Sequence, residues 1–181
     1  MVIQQNAVKS TVTHGTKSLL AKLLATENIT IVHDPKSTTA WFDVQGRILS
    51  LPTWQDISED LYDMLVVHEV GHALETPHKG WTEAIKSLAK KHYVHNVKGG
   101  ELVVKDFLNI VEDARIDKLQ KRRYPGSRKN YIAAYDELME RDFFKVKGSD
   151  INILVSIDKI NIYFKSNAYI NSTIKYYNDT F

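Results

Sequence analysis

Apolar positions along this chain first recur at helical intervals over residues 8–25, where Val12, Leu19, Leu20, Leu23 and Leu24 share one side and Glu27 and Asn28 close the element. The period then shortens. Three stretches rich in β-branched and aromatic residues, 29–34, 38–44 and 47–54, predict short strands joined by turns at Asp34-Pro35 and Gln45-Gly46, hence a small antiparallel sheet. From residue 57 onward the pattern is helical. Ser58 stands as N-cap of a helix over 57–74 that Pro77 ends near Glu75 or Thr76. Further helices are predicted over 81–93, over 101–124 after the break "HNVKGG", and over 131–144. A last helix is capped by Asp150, with Ile153, Ile157, Ile160 and Phe164 on one side. The long 101–124 helix is expected to bury Leu102, Val103, Phe107, Ile110, Val111, Ala114 and Leu119. The fold class that follows is α+β, mostly helical, with the small sheet preceding the 57–74 helix.

That helix reads "DLYDMLVVHEVGHALE" and has more apolar surface than one amphipathic stripe needs, which makes it central. Within it His68 and His72 stand four residues apart, so both imidazoles share one face, and Glu69 directly follows the first. Two readings compete. The histidines either hydrogen-bond within the core or supply two ligands of a zinc site, and small Gly71 beside the second favours the latter by letting another backbone pass close.

Composition narrows the chemistry. A chain of 181 residues is long enough to bury a core as one domain, 1–181, without disulfides. It has no cysteine, which excludes thiolate ligands and a thiol nucleophile. Net charge is only +2, from 24 basic and 22 acidic side chains, so nucleic acid is not expected as a partner. No apolar run approaches a bilayer span and the start lacks a signal-peptide core, so the expectation is a cytoplasmic protein without membrane attachment. The tail "YINSTIKYYNDTF" keeps apolar residues to Phe181 with no stop signal, which points to the N-terminal part of a longer protein.

A catalytic zinc takes three protein ligands and keeps one position open. Glu112 is the first candidate for the third, because in "NIVEDARID" an acid interrupts an otherwise apolar face, where it needs a partner or a metal. On a solvated face it would instead pair with Arg115 or Lys118. His78, ten residues beyond His68, is the second candidate, although the sharp backbone turn it requires asks for glycine where Glu75 stands. Asp113 or Asp117 is expected to accept the far ring hydrogen of a ligand histidine.

"VVHEVGHALETP" together with "NIVEDARIDKLQKRRYPG" resembles the zinc metallopeptidase domain found in bacteria and in tailed phages. That domain often lies N-terminal to a von Willebrand A-type domain and is related in these motifs to the cobaltochelatase-subunit-like group. More broadly the chain resembles the gluzincins, whose third ligand is a glutamate on a later helix. The resemblance implies a zincin-like fold, zinc as cofactor, His68, His72 and Glu112 as ligands, and Glu69 as general base. It also implies a peptide or protein substrate, an A-type domain or an AAA ATPase as partner, and the host cytoplasm as location if a phage encodes the chain. One departure is visible. The gluzincin aspartate four residues after the third ligand is absent, since Ile116 occupies that position.

Hydrolysis by such a site also needs a donor for the developing oxyanion. Arg115, Arg122, Tyr124 and Tyr131 are candidates by residue type, with Arg115 and Tyr124 preferred. The basic run Lys121, Arg122, Arg123, Arg128 and Lys129 reads first as a solvated helix end and second as a phosphate or acidic-peptide surface. Two other functions remain open: a catalytically silent zinc-binding structural or assembly domain, which would not need Glu69, and a DNA-linked protease, which would show a stronger basic face.

Overall fold

A computed structural model of the chain describes residues 14–145 and 154–166. The expectations placed on Val8, Val12, Asp150, Ile153 and the aromatic tail lie outside them. The element order is α1 (His14–Ala25), β1 (Thr30–Asp34), β2 (Trp41–Asp43), β3 (Ile48–Pro52), α2 (Glu59–Glu75), α3 (His78–His92), α4 (Val97–Arg123), a 3-10 turn (Pro125–Ser127), α5 (Arg128–Glu140) and α6 (Ser156–Ser166). The architecture is α+β and mostly helical.

The sheet is mixed, not antiparallel as the turns predicted. Its order is β1-β3-β2, with β3 parallel to β1 and antiparallel to β2. The turn over 44–47, in which Arg47 takes φ 55°, folds β3 back along β2. β3 also pairs along its length with β1, from Thr30 opposite Ile48 to Asp34 opposite Pro52. Turn residues specify hairpin neighbours but carry no signal for a parallel partner, whose connection is longer. β3 is therefore central, with Leu49 and Leu51 fully buried, and β2 forms an edge.

α2 begins where its cap predicts, since Ser58 is extended and its hydroxyl accepts the Leu61 N–H at 3.0 Å. Leu61, Val66 and Val70 are fully buried among α1, α4, α5 and the sheet. α1 meets α2 through the small residues Ala21 and Ala25 and through Lys17, whose ammonium donates to Asp63 at 2.5 Å. Leu19 and Leu23, expected inside, are 58% and 67% exposed, because the close approach uses the alanine side of the helix.

α4 starts earlier than predicted. Asn96 accepts the Gly99 N–H at 3.0 Å, so the Gly99-Gly100 pair lies in the first turn of the helix and does not break it. A Cβ at Gly100 would run into the Tyr93 ring. The inward face also differs from expectation. Leu102, Val103, Phe107 and Val111 are exposed, whereas Val104, Asp113, Ile116, Asp117 and Gln120 are buried. Apolar residues mark the inside of a helix only where the neighbour is apolar, and here the neighbour is the histidine face of α2. α3 lies along α4 on another side, and α6 packs on α4 with Ile162 buried.

Candidate metal centre

α2 and α4 approach closely at Gly71, where an added Cβ would stand 3.0 Å from Gln120 Cγ and 3.1 Å from Ile116 Cδ1. This approach brings the acidic turn of α4 onto the histidine face of α2. Asp113 Oδ1 lies 3.2 Å from His72 Nε2 and 3.7 Å from His68 Nε2, and the two rings are edge to face with centroids 5.1 Å apart. The ligand atoms of His68, His72 and Asp113 all fall within 4.8 Å of one another.

The opposite ring nitrogens are already engaged. His68 Nδ1 lies 2.7 Å from Asp117 Oδ1, and Asp117 also accepts from the hydroxyls of Tyr131 at 2.9 Å and Tyr135 at 3.3 Å. His72 Nδ1 lies 3.1 Å from Thr76 Oγ1, whose hydroxyl donates to Glu112 Oε1 at 2.6 Å. This network assigns the ring hydrogens to Nδ1 and leaves both Nε2 atoms directed at Asp113. Asp117 thus takes the role the sequence reading offered to it or to Asp113.

Glu112, expected as the third ligand, does not face the histidine pair. Its carboxylate accepts from Thr76 and, at 2.7 Å, from both Nε and a terminal nitrogen of Arg115. Burial works against its charge, yet these hydrogen bonds outweigh that and hold its carboxyl below the ordinary range. The carboxylate facing the pair is Asp113, one residue later. With Asp113 in that role, Asp117 stands four residues beyond it, the spacing found missing when Glu112 was the reference.

The preferred oxyanion donors are turned away. Arg115 is bound to Glu112 and to the Glu75 carbonyl at 2.8 Å, and the Tyr124 hydroxyl donates to the Leu24 carbonyl at 2.9 Å. Arg122 is exposed, and Tyr131 is committed to Asp117. His78 opens α3 as an exposed residue at the rim of the cleft. Sequence reasoning missed Thr76, for which the signal was its place four residues after His72, and Lys165, which α6 brings to Asp113 at 3.2 Å.

The centre opens into a cleft of about 830 Å³, lined by β2, by the aromatic side chains of Trp54, Phe143 and Phe144, and by Glu69. Glu69 is 5% exposed, and burial pushes its carboxyl above the usual range despite both histidines. Burial disfavours a charge on His68, but Asp117 and Asp113 outweigh it and raise the imidazole to about 9. At Asp113 burial is likewise outweighed, by His68, His72 and Lys165, and the carboxyl is held well below its ordinary range. At neutral pH the site therefore carries negative charge that calls for a proton on His68 or for another cation in its place.

The residues fit a divalent metal ion. Asp113 Oδ1 is buried without a well-directed hydrogen bond, although two imidazole nitrogens converge on it. Two neutral imidazoles and one carboxylate form a donor set suited to zinc, and each histidine has the outer hydrogen bond that fixes its tautomer. No protein-family model, curated protein or solved structure gives a significant match to the chain.

Proposed function

We propose that this chain is a zinc-dependent metallopeptidase, with His68, His72 and Asp113 holding the ion and Glu69 acting as general base. The observation that supports this reading is the convergence of two Nε2 atoms and a carboxylate oxygen in a cleft that Glu69 also lines. When bound in such a set, zinc supplies Lewis acidity toward a carbonyl oxygen and lowers the pKa of water toward neutrality.

The chain's own residues do the rest. Glu69, buried and raised in pKa, accepts a proton from the attacking water and delivers it to the leaving amine. Asp117 and Thr76 hold the two imidazoles in place. β2, as an edge of the sheet, offers backbone groups along which an extended peptide adds as a strand, and the aromatic wall accepts apolar side chains.

A catalytically silent zinc domain is the second reading, favoured by Arg115 and Tyr124 both being bound away from the cleft. Two histidines and a carboxylate also suit iron(II), so the metal itself must be identified. The test pairs elemental analysis with Glu69→Gln on a diverse peptide library. Near-stoichiometric zinc in both proteins, with cleavage reduced by about 10²–10⁴ in the variant, is the expected result. No stoichiometric zinc, or undiminished cleavage by the variant, overturns the reading. Zinc without cleavage in either protein supports the silent domain.

A further inference from the structure

α6 brings a cation to the metal centre. Lys165 Nζ lies 3.2 Å from Asp113 Oδ2, with the two side chains 23% and 6% exposed, so the pair is largely withdrawn from water. Ile162, one turn earlier and buried, anchors this end of α6 against α4. The two oxygens of Asp113 are thereby sorted, Oδ2 toward the ammonium and Oδ1 toward the two Nε2 atoms.

We propose that Lys165 is a positioning residue that, by holding Oδ2, fixes Asp113 as a one-oxygen ligand of the metal. The inference rests on the metal-site reading above. A carboxylate with both oxygens free can chelate one ion through both, filling a position that water or substrate would use. The other acids near the centre are served from elsewhere. Asp117 has His68, Tyr131, Tyr135 and the field of Lys121, and Glu112 has Arg115 and Thr76. Asp113 and Glu69 face the two histidines from α2 and Lys165 from α6. An exposed ion pair would contribute little, but this one is sheltered and selects one of two oxygens.

The experiment uses the full chain loaded with cobalt(II), whose visible absorption is intense at four-coordinate sites and weak at higher coordination. Wild type is expected to take up one equivalent with the intense spectrum. Lys165→Met keeps the stem without the charge and is expected to retain one equivalent with absorption several-fold weaker. Lys165→Arg is expected to restore most of the intensity, and Lys165→Gln to behave like the methionine variant. A wild-type spectrum in Lys165→Met, no recovery in Lys165→Arg, or a change in Met but not Gln overturns the proposal while leaving the metal site standing. Absence of cobalt uptake by wild type removes the metal reading itself, and this inference with it.

Discussion

Gly71 of α2 lies so close to Ile116 of α4 that a Cβ at position 71 would stand 3.1 Å from Ile116 Cδ1. Gly71→Ala gains about 1 kcal/mol of helix propensity but overpacks a tight contact by about 1–3 kcal/mol. Thermal stability is expected to fall by a few degrees at most, while zinc affinity falls several-fold as α4 is pushed off the histidine face. A competition titration against a chromophoric chelator checks this, and unchanged affinity shows that the crossing does not set the site.

Asp113→Ala is expected to weaken zinc binding by roughly 100-fold or more, since it removes the proposed third ligand. Glu112→Ala, whose hydrogen bond reaches His72 through Thr76, is expected to cost less than about tenfold, below the usual effect of a direct outer-shell partner. The same titration run on both variants decides between them, and the reverse order restores Glu112 as the ligand.

Asp117→Asn keeps the shape of the side chain, and its carbonyl oxygen can still meet His68 Nδ1 and Tyr131, but it loses the charge opposite His68 and the acceptor for Tyr135. The expected result is a loss of about 10–100-fold in zinc affinity with helical content retained. Circular dichroism beside the titration separates this from unfolding.

Removal of metal is expected to leave most of the helical signal and to lower the melting temperature. The main core, which includes Leu49, Leu61, Val66 and Val70, is apolar and supplies its own packing. Calorimetry with and without chelator measures the shift, which should grow with free zinc. Complete loss of helicity on chelation would assign the metal a structural role.

Tyr62, whose hydroxyl lies 3.1 Å from His33 Nδ1, is pushed up to about 12 by burial. Its folded value lies above the unfolded value of about 10, so its contribution to stability is complete below pH 10 and disappears as pH rises through 12. Tyr62→Phe should flatten the decline of denaturant stability over this window. Tyrosinate absorbance that develops fully by pH 10.5 would contradict the burial effect.

The sequence disclosed α2 and its ends because the signals there are local. Ser58 caps it, Pro77 follows it, and the histidines repeat at helical spacing. The second half of the site was legible only to within a residue. On a helix, neighbouring residues point about 100° apart, so Glu112 and Asp113 differ completely in what they face while being indistinguishable as an acid within "NIVEDARID". The buried face of α4 was misread for the same reason that it matters, since Asp113, Asp117 and Gln120 occupy positions where apolar residues were sought. The parallel pairing of β1 with β3 is a relation between distant segments that no turn residue encodes.

His68 meets Asp117 across a separation of 49 residues, and Thr76 meets Glu112 across 36. During synthesis the histidine helix therefore emerges well before its acidic partner. Until α4 follows and docks, the nascent chain presents a histidine pair without its carboxylate, an incomplete donor set for the proposed metal. On the proposed metal reading, metal choice is deferred to the tertiary stage of folding, when Asp113, the Asp117 partner of His68 and the Glu112 partner of Thr76 arrive together on one helix.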